Sequence, residues 1–434
     1  MKVVIINSVC GIGSTGRICA GIAEKMKLQG NEVYIAYGRN SYVPEKYKSI
    51  AKLICSQFIV RKNAMEARIF DNAGFGDKKT TSDFLNWLDE YKPDLIWLHN
   101  VHGYYINVEL LFNWLKNNPQ IEKRWTLHDC WSFTGHCTYF SMVNCEKWKT
   151  KCSHCPQKKD YPSSILLDKS SYNYIRKKEL FSGIKNMTLY TPSKWLADLT
   201  RSSFLSEYPV KVQHNKIDLK VFRKVDSDIK GKFDIKNETV ILGVASEWSK
   251  RKGLYDFYDL ARMLDNKYVI VLVGLSNKQI GEIGRIFPNY ERRIIKNDTS
   301  YETTFFVNKE IDDIEETGNM NKKEAVVDTK NRYGIAIEHS VSVAYRIITK
   351  KTYSHTKKYT GCRMIIAIPH TNCVNELVEL YSASDYFFNP TYEDNYPTVN
   401  LEAISCGSYV ITYDTGGAKE TIEGQHFNEF DSNT

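Results

Sequence analysis

Two groups of residues stand out in this sequence because their types and spacing could do chemistry. The stretch Gly11-Ile12-Gly13-Ser14-Thr15-Gly16 spells G-x-G-x-x-G directly after the apolar run VVII. A turn of that kind lets the backbone come close to a ligand and offers N–H groups and a helix N-terminus to a phosphate. The second group is cysteine. Five of the 11 cysteines lie between residues 130 and 155, and Cys137, Cys145, Cys152 and Cys155 follow C-x7-C-x6-C-x2-C spacing. Four thiolates would close a tetrahedral zinc shell and leave no open position for catalysis, so the expectation is a structural zinc staple. Cys130, His136 and His154 are spare candidate ligands. The loop is long, polar and poor in core-forming residues, which is where a staple is useful.

The elements that must position these groups follow from the wider pattern. With 434 residues, the chain is too long for one ordinary core and implies two domains. A content of 42% hydrophobic and 25% charged residues fits a globular protein. No apolar run reaches the ~20 residues of a membrane-spanning helix, and no signal-peptide layout precedes the first strand, so a cytoplasmic location is expected. The formal charge of +8 is mild and without a dense basic tract; it fits phosphorylated ligands or peripheral contact with an anionic inner membrane face, and argues against nucleic acid.

Short β-branched runs at 3–7, 32–37, 94–99, 124–128, 188–191, 240–245, 269–274, 386–389 and 409–413 alternate with segments of helical periodicity such as 18–28 and 374–382. That alternation predicts an α/β fold of two doubly wound Rossmann-like domains facing across a cleft, with helices on both faces of parallel sheets. A polar, charged stretch at 220–238 marks the boundary, giving domains 1–222 and 223–434. If the first turn held a dinucleotide, an acidic residue should end the second strand to hold the ribose. That strand ends instead at Arg39, which would suit an NADP phosphate, so an NADP-dependent oxidoreductase is one alternative.

Further along, residues 385–420 read DYFFNPTYEDNYPTVNLEAISCGSYVITYDTGGAKE: a strand, an acidic loop, a helix from near Pro397, a stop at Gly407 and another strand. Here the chain resembles the retaining glycosyltransferases of family 4, which have the GT-B fold. ILGVASEWSKRKG (241–253) is similar to the family's phosphate-binding loop. VQHNKIDLKVF (212–222) resembles its domain-junction motif, with Lys216 where glycine is usual, and TPSKWLAD (191–198) and TLHDCW (126–131) resemble two further segments. The resemblance covers about residues 1–280 and 364–420. It implies a donor diphosphate held by Lys252 with Arg251 or Lys250, and by the backbone of Thr398 and Val399 at a helix N-terminus. Glu402 would hold the ribose hydroxyls, Glu393 or Asp394 would face the donor sugar, and His128 would touch that sugar or line the acceptor side. His99 and His102 are weaker candidates, and Gly13 with Ser14 would approach the donor diphosphate or the acceptor. Protein cations and dipoles can stabilise the departing diphosphate, so no metal or other cofactor is expected for catalysis.

Two departures from the family pattern fall at the site. The eight-residue spacing of the family's paired acids leads back from Glu402 to Asp394, not Glu393, and Glu247 stands where many relatives carry arginine. Residues of about 281–363 read as an insertion in the second domain, with a helix expected at 335–348, and that domain reads as short at its C-terminal end. The activity implied is transfer of a sugar from a nucleoside diphosphate to a hydroxyl of a lipid-linked glycan in surface polysaccharide assembly. Besides the oxidoreductase, a non-catalytic zinc-stabilised sugar-binding protein is the second alternative.

Overall fold

The computed structural model describes residues 1–39, 42–295, 302–309, 361–369, 371 and 373–423. They divide into two compact units, Met1–Lys216 with Asp394–Tyr396, and Ile217–Glu393 with Pro397–Thr434.

In the first unit, β1 (Lys2–Ile6), β2 (Glu32–Tyr37), β3 (Ala51–Leu53), β4 (Leu95–Leu98), β5 (Glu122–Thr126), β6 (Met187–Thr191) and β7 (Val210–Val212) form a sheet ordered β3-β2-β1-β4-β5-β6-β7. Every pair is parallel. The helices between them are α1 (Gly13–Leu28), α2 (Gln57–Phe70), α3 (Lys79–Tyr91), α4 (Val108–Asn117), α5 (Ser170–Phe181) and α6 (Lys194–Arg201). Both faces of the sheet are apolar, because successive strand side chains point to opposite sides. Val3 and Ile5 pack with Cys19, Ala20, Ala23 and Met26 of α1. Val4 and Ile6 pack on the other side with Phe84 and Leu88 of α3 and Leu111 and Phe112 of α4. Strand order reverses at β1, so a crevice is expected outside the carboxyl ends of β1 and β4.

The second unit repeats the scheme. β8 (Thr239–Val244), β9 (Tyr268–Val273), β10 (Tyr290–Ile295), β11 (Thr303–Asn308), β12 (Met364–Ile368), β13 (Tyr386–Asn389) and β14 (Tyr409–Thr412) are ordered β10-β11-β12-β9-β8-β13-β14. Helices α7 (Ile229–Lys232), α8 (Leu254–Met263), α9 (Asn277–Ile286), α10 (Val374–Ala383) and α11 (Thr398–Ser405) accompany it. Ile241 joins Phe257 and Leu260 of α8 on one face, while Val240 and Leu242 join Val378 and Tyr381 of α10 and Ala403 of α11 on the other.

Two expectations change. The division falls between Lys216 and Ile217 rather than after residue 222, because Phe222 and Ile217 pack into the second unit's core. The stretch read as an insertion is in part sheet: β10 pairs antiparallel with β11, and β11 antiparallel with β12. β10 reads YERRII, with charges, because an antiparallel edge strand can face water on one side. The helix expected at 335–348 lies outside the described residues.

One aromatic cluster links this core to the strand ends. Phe112 packs 4.2 Å from Phe181 and 5.0 Å from Trp125 between ring centroids. The Trp125 indole N–H donates to the His99 carbonyl at 3.2 Å. Phe112→Ala should therefore destabilise the protein by about 3–5 kcal/mol, the usual range for emptying an aromatic core site. Phe112→Leu should lose clearly less; equal losses in guanidinium unfolding would show that ring packing is not what matters at this position.

Candidate functional site

In the second unit the chain leaves β8 and reaches the cationic turn Lys250–Lys252 through a segment pinned by Trp248. The Trp248 indole N–H donates to the Val273 carbonyl at 2.8 Å, and its own carbonyl accepts from the Gln279 side chain at 2.9 Å. Gly253 follows with φ +73°, and a Cβ there would stand 2.2 Å from the Pro390 carbonyl oxygen. Only glycine fits so close an approach in that conformation. The contact brings the loop after β13 against the turn. Arg251 donates from Nη1 to the Glu393 carbonyl at 2.5 Å, and the Tyr392 N–H donates to the Arg251 carbonyl at 2.8 Å. Arg251 is thus a positioning residue for this loop, while Lys252 stands half-buried beside it.

Behind the loop lies Asp256, which the sequence reading missed. The hydroxyls of Tyr392 and Tyr413 both donate to its Oδ1, at 2.7 and 3.0 Å. Burial pushes its carboxyl up to about 6, although the two tyrosines pull the other way. The motif itself gives no signal for this site, which only packing assembles.

Thr398 and Val399 open α11, as expected, and the preceding Pro397 supplies no side-chain cap to neutralise the positive end of the helix dipole. Glu402 lies in that helix, buried, with the Tyr381 hydroxyl donating to its Oε2 at 3.2 Å. Asn400 ties the helix to its surroundings, accepting from Asn389 at 2.8 Å and donating to Thr421 at 2.7 Å. The two candidate acids separate: Glu393 is buried in the second unit, whereas Asp394 is half-buried and groups with the first.

In the first unit, histidines gather at the carboxyl ends of β4 and β5. His99 Nδ1 lies 2.9 Å from His128 Nε2, with the rings stacked at 5.2 Å. His102 Nε2 meets Asp129 Oδ2 at 2.9 Å, and Asp129 Oδ1 accepts the Trp131 N–H at 2.9 Å. Burial drives the His128 imidazole down to about 4 and holds His99 well below the usual range, so both rings are neutral near pH 7. Burial alone would raise Asp129, but the His102 charge and hydrogen bond outweigh it and leave the carboxyl below its ordinary value. Asn395, which groups with this unit, donates to the His128 carbonyl at 3.1 Å and accepts from Ser193 Oγ at 2.5 Å. The two weaker histidine candidates therefore join His128 in one network.

The glycine turn opens α1, with Gly13 as its first residue and no side-chain cap at Ile12. Gly11 has φ +70° and lies against the Tyr47 ring, where a Cβ would approach within 2.5 Å; a Cβ on Gly13 would meet nothing within 4 Å. Open space at Gly13 is what close approach by a ligand requires. Arg39 is engaged by the Tyr161 hydroxyl, a partner of its own within this unit.

Among the described residues, no three His, Cys, Asp or Glu side chains are grouped so as to hold a metal ion. Cys137 and Cys155 hydrogen-bond to each other, and Cys152 Sγ accepts the Gly135 N–H at 3.2 Å. Trp148 fills the loop by stacking 5.0 Å from Phe140. The loop is anchored from outside, by His136 Nδ1 to Asp71 Oδ1 at 2.5 Å and by buried Lys177 Nζ donating to the Trp131 carbonyl at 2.6 Å. Packing and hydrogen bonds thus contribute to holding the loop.

Residues 349–428 match the family model described as glycosyl transferases group 1. WcaC of Escherichia coli (strain K12), named for glycosyl transfer in colanic acid biosynthesis, is 24% identical over 222 residues, 47% of this chain and 52% of that protein. The chain thus spans about half the length of this curated relative. Sucrose-phosphate synthase of Thermosynechococcus elongatus superposes with TM-score 0.55 at 13% identity, over 97% of this chain and 83% of the other. HepE of Anabaena, in complex with UDP and glucose, gives 0.50 at 12% identity, over 97% and 82%. The Escherichia coli trehalose-6-phosphate structure bound with UDP-2-fluoro glucose gives 0.51 at 12%, over 98% and 86%. At these identities the likeness is one of fold, two Rossmann-like α/β domains of the GT-B kind. The oxidoreductase reading finds no support in these matches.

Acid titration should act oppositely in the two units. His128 is held below its unfolded value, so its contribution is present above about pH 6.5 and is lost as pH falls through about 4. Asp256 is raised, so its contribution is present below about pH 4 and is lost as pH rises through about 6. Seven of the 8 tryptophans lie in the first unit, so intrinsic fluorescence follows its unfolding. His128→Gln should remove up to about 3 kcal/mol of the stability loss on acidification seen by that probe. Asp256→Asn should flatten the opposite slope in calorimetry. Unchanged pH profiles in both variants would refute the burial account.

Proposed function

We propose that this chain is a glycosyltransferase that moves a sugar, with retention at the anomeric carbon, from a nucleoside diphosphate to a hydroxyl of a glycan acceptor in surface polysaccharide assembly. The observation that carries this reading is the cationic turn Lys250–Lys252, strapped through Arg251 and Gly253 to the 390–393 loop and followed by α11 with Glu402. As the bond from the anomeric carbon to the diphosphate breaks, negative charge grows on the departing oxygens. Lys252 and the uncapped N-terminus of α11 are the preorganised positive groups that would stabilise it. Glu402, a carboxylate with two oxygens, would accept both ribose hydroxyls of the nucleotide. Support for a nucleoside diphosphate donor also comes from fold relatives described with UDP, UDP-glucose or UDP-2-fluoro glucose. The WcaC likeness supports the polysaccharide role, and the lipid-linked nature of the acceptor belongs to the same proposal.

His128 enters as a neutral group. With its imidazole charged only below about pH 4, it would exchange hydrogen bonds with a sugar hydroxyl instead of protonating the leaving group. Asp129 and His102 are positioning residues in this scheme, since they act through the loop that holds His128.

Purified protein offered a panel of UDP- and GDP-sugars should hydrolyse one of them slowly. Binding of NADP without binding of either diphosphate would instead favour the oxidoreductase, and diphosphate binding without any turnover would favour a non-catalytic protein. Lys252→Ala should lower turnover more than donor affinity, because its charge matters most in the transition state. Glu402→Gln keeps an acceptor for the Tyr381 hydroxyl, so it should stay folded yet weaken nucleotide binding by about 1.5–3 kcal/mol in calorimetric titration. Wild-type affinity in that variant would remove Glu402 from the ribose.

A further inference from the structure

A buried carboxyl without a cation beside it is costly, and an apolar side chain of similar size would fill the same space more cheaply. Asp256 is such a group. It is 4% exposed, the third residue of α8, and within the described residues it stands in no ion pair with lysine or arginine. Burial works against its charge, and Asp259 adds repulsion in the same direction. What it does that leucine could not is accept hydrogen bonds, so those bonds must account for it.

They converge from two distant segments of the chain. The Tyr392 hydroxyl donates to Oδ1 at 2.7 Å and brings in the loop after β13, and the Tyr413 hydroxyl donates to the same oxygen at 3.0 Å and brings in the segment after β14. The two rings pack edge to face, 5.6 Å apart between centroids. Thr415 Oγ1 donates to the Thr391 carbonyl at 2.6 Å and joins these segments directly. The carboxyl itself is fixed to the cationic turn, because the Asp256 N–H donates to the Gly253 carbonyl at 3.1 Å. Arg251 grips the loop at the Glu393 carbonyl and Asp256 grips it one residue earlier, at the Tyr392 side chain, so the loop cannot pivot about either bond alone.

We propose that Asp256 is the positioning residue of the donor site, its one carboxyl oxygen setting both the 390–393 loop and the 413–417 segment against the turn Lys250–Lys252. The word donor rests on the diphosphate reading of that turn. The holding of the two segments stands apart from it.

Hydrogen exchange of the full chain, read by mass spectrometry, tests the holding. Asp256→Leu should exchange about tenfold faster in peptides 386–393 and 409–418, with β8 and β9 unchanged, since loss of an anchoring hydrogen bond opens a segment locally. Asp256→Asn retains a carbonyl acceptor and should restore slow exchange in both. Tyr392→Phe should speed the first peptide alone and Tyr413→Phe the second alone. In titration calorimetry with UDP and with GDP, Asp256→Leu should weaken binding about tenfold and Asp256→Asn should recover most of it. Unchanged exchange in Asp256→Leu, acceleration spread evenly through the second unit, or no recovery in Asp256→Asn overturns the proposal. Faster exchange in both peptides with undiminished diphosphate binding overturns the donor-site role. A wild-type chain that binds neither diphosphate counts against the donor reading, and the exchange contrasts then still decide whether Asp256 holds the two segments.

Discussion

A parallel sheet buried on both faces has no room within its strands for polar chemistry. In β1 and β4 every residue from Val3 to Ile6 and from Leu95 to Leu98 is buried and apolar, because helices cover both sides. Polar function is therefore confined to the residues just past the strand ends. Asn7 follows β1, His99 follows β4, and His128 stands two residues past β5. In the second unit the same exclusion sets the cationic turn beyond β8 and the 390–393 loop beyond β13. In each unit, the candidate site residues are what its layered core expels.

Those expelled groups still sit under low-dielectric cover, and burial acts on them according to their charge. It disfavours imidazolium at His99 and His128 and carboxylate at Asp256, so each tends to its neutral form. Asp129 resists because His102 and the Trp131 N–H stabilise its charge locally. The result is a first unit with one neutral histidine pair beside one ionised histidine-bound carboxylate. Neutral hydrogen-bond partners and a charged one thus stand within a few residues of each other.

Much of this could be read from the sequence, and the physical reason is the same exclusion. Nine of the strands announce themselves as apolar β-branched runs, since burial on both faces leaves no other choice. β3 and β7 escape because each is three residues long and at a sheet edge, β10 because its edge position tolerates YERRII, and β11 and β12 because they fall within or directly after the stretch read as an insertion. At the site, Lys252, Thr398 and Glu402 carry motif spacing. Asp256 does not: its environment comes from tyrosines more than 130 residues away. The cysteine loop is a second case: spacing along a chain carries no information about the long-range packing that sets Trp148 on Phe140 and buries Lys177 beneath Trp131.

The strap between Arg251 and the loop after β13 ends on the carbonyl of residue 393, not on its side chain. A backbone acceptor is common to all twenty amino acids, so the strap exerts no selection on the identity of that residue. Position 251 has less latitude, because only a long side chain that ends in an N–H donor can make the same bond. Mutational drift should thus be lopsided across this one interaction. Whatever restricts residue 393 in this lineage must arise from its buried carboxylate, and so from a ligand or a fold requirement that the hydrogen bond itself does not impose.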